Sequence, residues 1–508
     1  MNLNYDILWT VFTLNASQGS SRLEITLASS QVCQEWRNII LGSSTLWGRL
    51  VLLTPSKKQE WLEEILKRSG CSPLWVEALL GDTIEQLTSV ADNYWERIEL
   101  LDISGTAIRL SYHEEDLLKV LSRPAPFLRS FSLINADHNM RRSISFQNHE
   151  SLFALDAPLL RSLVTDVIVL PHQSALFSNL RELSWRLYGT IREMLNCLRN
   201  MPNIETLTLK RTIMEEIIDR NVLDDLPLIS LPRLTQLSMM LSSLEAFVAL
   251  FDRITSSSTG CVSNVNCYIW SQYEDLTSCL LQMGGPLAKI IANHIKIQKD
   301  SHFLDLWIWN HKFFFMLDSS SQIKFYWKDY GFDNAPPPES LSLFFQAFKT
   351  VNLSHITHLK VMHGLNFYTP RYFSFFLPLL SSTLSSITHL ETNVVFFRLL
   401  YFQYMQDQDC AFVPFDHFDC AFPFPNLQNL QIKLSLHSGP AVRDRLGVQL
   451  DGHIFLHFLR TQKALGRGPS VLCVQALPLN GTHLDNMYYR QLLEEIDGLE
   501  VVWTIRKS

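Results

Sequence analysis

The chain has 508 residues, of which 47% are hydrophobic and 18% are charged, and its formal net charge is -7. This composition is typical of a globular protein and excludes an intrinsically disordered chain. A negative balance argues against general nucleic-acid binding, because affinity for phosphates depends on accumulated Lys and Arg. The length predicts about three domains, or one longer array of repeats.

The nine cysteines are odd in number and form no Cys-x-x-Cys pair. Buried thiols in a reducing compartment fit this pattern better than a disulfide framework. No signal-peptide pattern opens the chain, and no apolar run reaches the roughly 18 residues that span a bilayer. We therefore expect a cytoplasmic or nuclear protein that binds neither membranes nor nucleic acids.

Short helices are predicted at the start of the chain. An apolar stripe with helical spacing runs from Leu3 to Phe12, with Asp6 in its opening turn, where a negative charge suits the helix dipole. A second helix carries Val32, Trp36, Ile39 and Ile40 on one face and is expected to end at Gly42; Ser43 or Ser44 can cap a third turn with Leu46 and Trp47. Three such helices bury little surface, so they need a partner or the rest of the chain.

This segment resembles an F-box, the module by which adaptor proteins bind Skp1 in cullin-RING ubiquitin ligases. The resemblance rests on an apolar opening with an acidic residue, then Val-Cys-x-x-Trp-Arg, an apolar pair and Leu-Trp. The matching residues are Leu3, Asp6, Ile7, Leu8, Val11, Phe12, Val32, Cys33, Trp36, Arg37, Ile39, Leu46 and Trp47. At one position the chain departs from the family, because Asn4 stands where Pro is usual. The resemblance implies that all of these residues except Arg37 and Ile39 contact Skp1, and that Skp1 links the chain to a cullin.

An amphipathic helix over Lys57–Ser69 and a strand after Pro73 are predicted next. This order of elements resembles the segment directly after the box in many fungal F-box proteins. We therefore predict a helical domain over residues 1–54 and a linker helix with a first strand over 55–80. A repeat domain is expected over 81–508, with a modified, aromatic-rich middle at about 261–340.

A short apolar repeat recurs beyond the linker: an apolar residue, two variable positions, an apolar residue, one variable position and another apolar residue. Complete copies are Ile98-Leu101-Ile103, Leu128-Phe131-Leu133, Leu180-Leu183-Trp185, Ile204-Leu207-Leu209, Leu234-Leu237-Met239 and Leu427-Leu430-Ile432. Weaker copies stand at Leu160-Leu163, Ile356-Leu359, Ile387-Leu390 and Leu499-Val502. The separations of roughly 20 to 45 residues are typical of leucine-rich repeats with a helix in each turn. The alternative is a set of unrelated strands in an ordinary α/β domain.

The spacing of the repeat assigns each position to one side of a strand. The last two apolar residues are two positions apart, so they point into the core, and the residues between and after them point outward. Helical spacing over Ile213–Leu223 and Ser243–Ile254 predicts helices on the opposite, convex side. We expect a protein target to bind outward residues of the concave sheet: Glu182, Ser184, Arg186, Thr206, Thr208, Lys210, His358, Lys360 and Met362.

The middle of the repeat domain is less regular. Alternation of apolar residues predicts strands over Phe303–Trp309, Phe313–Leu317 and Ile323–Trp327, where the array continues with compressed or modified units. Pro336–Pro338 marks a loop or hinge.

No motif points to catalysis. His453 and His457 are four residues apart, but Ile454 replaces the Glu that a zincin needs after its first His. Neither a phosphate-binding glycine loop nor a nucleophile elbow is present. We therefore expect neither enzyme activity, nor a metal, nor a cofactor. The alternative that stays open is an enzyme with an unrecognised site among the central aromatics and His311.

The sequence as a whole predicts an α/β protein in which a small all-helical F-box-like unit precedes an irregular leucine-rich-repeat solenoid. In this solenoid a parallel sheet lines the concave side and helices cover the convex side. The resemblance implies a non-catalytic adaptor that binds Skp1 and presents an unidentified protein for ubiquitination. The alternative is an interaction scaffold of the same architecture whose box has lost Skp1 binding.

Overall fold

The chain is a mixed α/β protein whose strands pair mainly in parallel. The computed structural model describes residues 4–17, 19, 21–55, 59–81, 83–137, 151–169, 175–186, 190–212, 225–241, 244–255, 261–270, 302–309, 312–317, 321–328, 353–363, 385–393, 396, 424, 426–434, 445–464, 466, 469–476 and 493–505. The first of two compact units comprises residues 1–215, 227–236 and 254–258. The second comprises residues 216–226, 237–253 and 259–508.

Four short helices open the first unit, and we call them the helical head: α1 (Tyr5–Asn15), α2 (Arg22–Ser29), α3 (Gln34–Gly42) and α4 (Ser44–Gly48). The predicted stop at Gly42 and cap at Ser43 are confirmed, because α3 ends at Gly42 and the Ser43 hydroxyl accepts a hydrogen bond from the Leu46 N–H at 3.3 Å. Helix α2 was not predicted. Its residues Leu23, Ile25 and Leu27 alternate with a period of two, which is not helical spacing.

Parallel strands follow the head in chain order. They are β1 (Val51–Leu53), β2 (Leu74–Leu79), β3 (Ile98–Gly105), β4 (Ser130–Asn135), β5 (Ser162–Thr165), β6 (Glu182–Arg186) and β7 (Thr206–Thr212). Each pairs with the next one along the chain. The connections contain α5 (Gln59–Ser69), α6 (Ile84–Tyr94), α7 (Ala107–Tyr112), α8 (Glu114–Leu121), α9 (Ile191–Arg199) and 3-10 turns at Trp95–Arg97, Leu152–Leu155 and Ala175–Asn179. Strands β8 (Ile229–Ser230) and β10 (Ile254–Thr255) form a separate parallel pair.

Two rows of side chains across β1 to β7 form the core of the first unit. One row is Val51, Val76, Leu101, Phe131, Leu163, Leu183 and Leu207, and the other is Leu53, Ala78, Ile103, Leu133, Thr165, Trp185 and Leu209. All of these residues are buried, whereas the residues between them are partly exposed. The inward and outward positions predicted from the repeat are therefore confirmed for β3 to β7.

The second unit contains most of β9 (Gln236–Leu241) and the elements that come after it. These are α10 (Leu244–Arg253), β11 (Val262–Trp270), β12 (Phe303–Trp309), β13 (Lys312–Leu317), β14 (Ser321–Lys328), β15 (His358–His363), β16 (His389–Asn393), β17 (Asn429–Leu434), α11 (Arg445–Ala464), β18 (Val471–Ala476) and β19 (Glu500–Ile505). Helix α10 matches the one predicted over Ser243–Ile254. The predictions over Ile213–Leu223 and Pro336–Pro338 lie outside the described residues.

The central strands differ from the predicted parallel array. Strands β12, β13 and β14 form an antiparallel meander, β14 pairs in parallel with β11, and β12 pairs in parallel with β15. The sequence correctly indicates three strands here, but their connections are of only a few residues. Such short connections suit antiparallel neighbours, since a parallel pair needs a longer crossover.

The last predicted copy of the repeat is displaced by one residue. In β19, the half-buried Val501 is the register partner of the buried Leu472, so Val501 rather than Val502 is aligned with the buried row. Val502 is exposed. The prediction of Leu499-Val502 was wrong because a shift of one residue moves every side chain of a strand to the opposite face.

Candidate functional site

The helical head exposes a row of large apolar side chains. Ile7, Val11 and Leu14 stand at helical spacing on one face of α1, and all three are exposed. Val32, just before α3, is 63% exposed. The ring of the half-buried Trp36 lies 5.2 Å from the ring of Phe12, so α3 packs directly on α1. We call Ile7, Val11, Leu14, Val32 and Trp36 the head surface.

Four of the residues predicted to contact Skp1 lie in the core of the head. Leu8, Phe12, Leu46 and Trp47 are each at most 2% exposed. The Trp47 indole N–H donates a hydrogen bond to the Ile40 carbonyl at 2.9 Å. These side chains hold the four helices together, and the exposed members of the predicted set are Asp6, Ile7, Val11, Val32 and Cys33. Leu3 lies outside the described residues.

Two caps position the head surface. The Asn4 side-chain oxygen accepts a hydrogen bond from the Asp6 N–H at 3.0 Å, so Asn4 is the N-cap of α1. The Cys33 sulfur accepts one from the Trp36 N–H at 3.5 Å and caps α3. Because a capping side chain satisfies a helix N–H that has no partner within the helix, both helices have a defined start.

Several contacts attach the head to the first strands of the same unit. The buried Arg22 guanidinium lies 3.2 Å from the Glu77 carboxylate on β2. Arg49 lies over the Trp75 ring, 4.4 Å from its centroid, and Arg68 of α5 lies over Trp47 at 4.8 Å. Burial lowers the pKa of Arg22, and the nearby carboxylates of Glu77 and Asp102 partly oppose this effect. The head is therefore fixed on the sheet through cationic side chains.

The outward residues predicted on β6 and β7 lie side by side. Glu182 is the register partner of Thr206, Ser184 of Thr208, and Arg186 of Lys210. All six side chains are exposed or half-buried.

Arg186 also has a partner that the repeat pattern did not indicate. It lies 3.6 Å from the carboxylate of the buried Asp166, which accepts a hydrogen bond from the Asn135 N–H at 2.7 Å. Asp166 directly follows β5, and the sequence signal that would have indicated it is its place at the end of a strand.

A second group of outward residues lies on β15 and its neighbours. His358 stacks on His389 of β16, with ring centroids 4.1 Å apart and an angle of 14° between the rings. Lys360 lies 3.2 Å from Asp305 and 3.8 Å from Glu391. Sequence reasoning missed His389, Asp305 and Glu391. The repeated Thr-His-Leu at 357–359 and 388–390 would have indicated the histidine pair.

Met362 does not fit the predicted outward set. It is buried, unlike His358 and Lys360 on the same strand. Removing its unbranched apolar side chain from water lowers the free energy of the folded chain. Met362 therefore belongs to the packing of the second unit and not to a free surface.

No group of three or more His, Cys, Asp or Glu side chains in the described ranges is placed to hold a metal ion. His311 and the side chain of His453 lie outside the described residues, while His457 contacts Thr461 at 3.4 Å. Burial raises the pKa of the Cys197 thiol to about 12, so this sulfur is protonated and unreactive at neutral pH.

Where the helices are described, none is long and apolar enough to cross a bilayer.

A scan against protein-family models finds no match, and a search of curated proteins finds none either.

Proposed function

We propose that the protein is the substrate-recognition adaptor of a Skp1–cullin–F-box ubiquitin ligase. The observation that carries this proposal is the head surface, a set of exposed or half-buried apolar side chains on a small helical head that is fixed to the parallel sheet of the same unit. Exposed apolar patches of this kind mark protein-binding sites, because burying them against a partner is favourable. In this proposal the head binds Skp1 and the sheet binds the target.

The F-box resemblance and the head surface support each other. Ile7, Val11, Val32 and Trp36 are members both of the motif and of the exposed or half-exposed set. Asn4 stands where the family usually has Pro. Its side chain caps α1 and so starts the helix without Pro, which makes this departure compatible with the proposal.

The proposed body is an irregular leucine-rich-repeat solenoid. Strands β1 to β7 follow one another in chain order and pair in parallel, and so do β15 to β19. In such an array each repeat contacts its neighbours, and the outward residues of adjacent strands form a continuous surface. In the first unit Glu182, Arg186 and Lys210 would contact a protein target; His358 and Lys360 are the corresponding candidates on the second unit, taken by itself.

Co-purification with recombinant Skp1 tests the adaptor proposal. We expect the wild-type chain to form a complex at micromolar concentration, and Val32→Asp and Ile7→Asp each to weaken it about tenfold or more, because binding would bury an unpaired carboxylate. The matched control is Ile108→Asp in α7, since Ile108 is 65% exposed but lies outside the head surface. The proposal fails if wild type forms no complex, or if Ile108→Asp weakens binding as much as Val32→Asp.

The second candidate is an interaction scaffold whose head no longer binds Skp1. The observation that favours it is the burial of Leu8, Phe12, Leu46 and Trp47, four positions at which the resemblance implies contact with Skp1. Affinity purification from cells separates the two. A scaffold would retain its partners in the Val32→Asp variant and contain no cullin peptides in wild type, whereas an adaptor would lose cullin peptides only in the variant.

A further inference from the structure

Three arginines stand next to one another along one edge of the first sheet. Arg129, Arg161 and Arg181 directly precede β4, β5 and β6. The Arg161 N–H donates to the Arg129 carbonyl at 2.9 Å, and the Arg181 N–H donates to the Arg161 carbonyl at 2.8 Å. Neighbouring strands are about 4.8 Å apart, so the three residues form a row across the strands. All three are exposed.

The arginine at each end of this row forms an ion pair with a glutamate. Arg129 lies 3.1 Å from Glu99, and Arg181 lies 3.1 Å from Glu205. Arg161, in the centre, has no hydrogen bond or ion pair through its side chain among the described residues. Each outer arginine uses one nitrogen in the contact with its glutamate, and a guanidinium has five N–H donors. The row therefore keeps donors for a ligand.

The second unit shows that the fold does not require arginine at these positions. There the same backbone pattern runs from His302 through Thr357, Thr388 and Gln428 to Ser470, each donating its N–H to the carbonyl of the preceding member. The last four of these residues are neutral. Three adjacent arginines in a chain of net charge -7 are thus a property of the first unit and not of the strand geometry.

Apolar side chains are exposed beside the arginines. Phe127 and Leu159 stand two residues before Arg129 and Arg161, in equivalent Pro-x-Leu-Arg turns, and they are 54% and 37% exposed. Each turn is closed by a hydrogen bond, from the Leu128 N–H to the Ala125 carbonyl and from the Leu160 N–H to the Ala157 carbonyl. We call Phe127, Leu159 and the three arginines the arginine patch.

We propose that the arginine patch binds an acidic peptide segment of a partner protein in which apolar residues alternate with Asp or Glu. In an extended peptide, alternate side chains are about 6.7 Å apart, within reach of flexible guanidiniums on strands about 4.8 Å apart. Carboxylates on one side of the peptide would accept charge-assisted hydrogen bonds from the arginines. Because alternate side chains point to opposite sides, the apolar residues on its other side would cover Phe127 and Leu159. A long nucleic acid fits less well, because Glu99 and Glu205 limit the row to three cations. This site is separate from the head surface and does not depend on Skp1 binding.

Fluorescence anisotropy with the full chain tests the proposal. The probe is a labelled peptide of about 12 residues in which Glu alternates with Leu, and the comparison probes carry Lys for Glu or consist of oligothymidylate. We expect the Glu–Leu peptide to bind saturably, with an affinity that falls as salt is added. Arg161→Gln should weaken binding about threefold to tenfold without breaking either ion pair of the row.

The matched control is Arg199→Gln, which removes another exposed arginine of the same unit at the end of α9. It should leave the affinity unchanged, whereas Phe127→Ser should lower it. Three results would overturn the proposal: equal binding by Arg161→Gln and wild type, binding of the Lys–Leu peptide or oligothymidylate as tight as that of the Glu–Leu peptide, or no saturable binding up to about 1 mM. None of these readouts depends on Skp1, so they are distinct from the test of the adaptor proposal.

Discussion

The Arg22 guanidinium of α2 lies 3.2 Å from the Glu77 carboxylate of β2, and this contact joins the helical head to the sheet. The Arg22 side chain is 7% exposed and the Glu77 side chain is 31% exposed. The cation is therefore the more strongly desolvated partner. The proposed adaptor function needs a fixed orientation between the docking and recognition surfaces, and an ion pair with a buried cation supports such an orientation.

Breaking the pair from the Glu77 side should cost more than breaking it from the Arg22 side. Glu77→Gln leaves a buried cation with less compensation, so we expect it to lower the free energy of unfolding by about 1 to 3 kcal/mol. Arg22→Met keeps the apolar stem and should cost less. Urea unfolding of both single variants and the double variant measures the coupling. Equal losses in the two single variants would contradict the unequal burial as the cause.

Substitutions of the buried residues of the motif should lower the stability of the fold, whereas substitutions of its exposed residues should not. Leu8→Ala and Trp47→Ala leave cavities in the core of the head, and each should lower the free energy of unfolding by about 2 to 5 kcal/mol. The surface variant Val32→Asp, by contrast, should leave the unfolding midpoint close to that of wild type. Thermal denaturation followed by circular dichroism compares the three. A stable Leu8→Ala protein would mean that this residue is not part of the core.

Cys33 provides a footprint of the head surface. Cys33 and Cys71 are both exposed, but only Cys33 adjoins Val32 and caps the helix of Trp36. If the head binds Skp1, bound Skp1 should slow the alkylation of Cys33 by iodoacetamide several-fold and leave Cys71, the internal control, unchanged. Mass spectrometry of the alkylated peptides gives both rates in one sample. Unchanged Cys33 alkylation in a saturated complex would place the contact elsewhere.

The stacked histidines predict a loss of stability in mild acid. Partial burial and the neighbouring His389 and His302 lower the pKa of His358 in the folded chain. The unfolded chain therefore binds a proton at a higher pH, near 6.5, than the folded chain does. The free energy of unfolding should fall as the pH is lowered through 6.5 towards the folded pKa of His358.

Thermal melts at about pH 7.5 and about pH 5.5 measure this effect. His358→Gln removes the titrating group, so it should reduce the loss in melting temperature between the two conditions. His113→Gln is the control, because His113 lies outside the histidine stack. An unchanged pH dependence in His358→Gln would show that other groups cause it.

Local pattern was sufficient for most strands of the repeat in the first unit and for the side of those strands that faces the core. The period of the repeat predicted that Leu101, Phe131 and Leu183 are buried, because alternation along a strand follows from backbone geometry alone. Gly42 and Ser43 likewise act within a few residues of chain. Helix α2 and the displaced register of β19 were missed where the local pattern itself was ambiguous.

Contacts between residues that are distant in the sequence were decided by tertiary packing alone. Leu8 and Val32 are both apolar members of the motif in the head, yet packing buries Leu8 and leaves Val32 exposed. The stacking of His358 on His389, and the alignment of Arg129 with Arg161, depend on which strands are neighbours. Periodicity states which way a side chain points along its own strand, whereas pairing between strands is set by the free energy of the whole sheet.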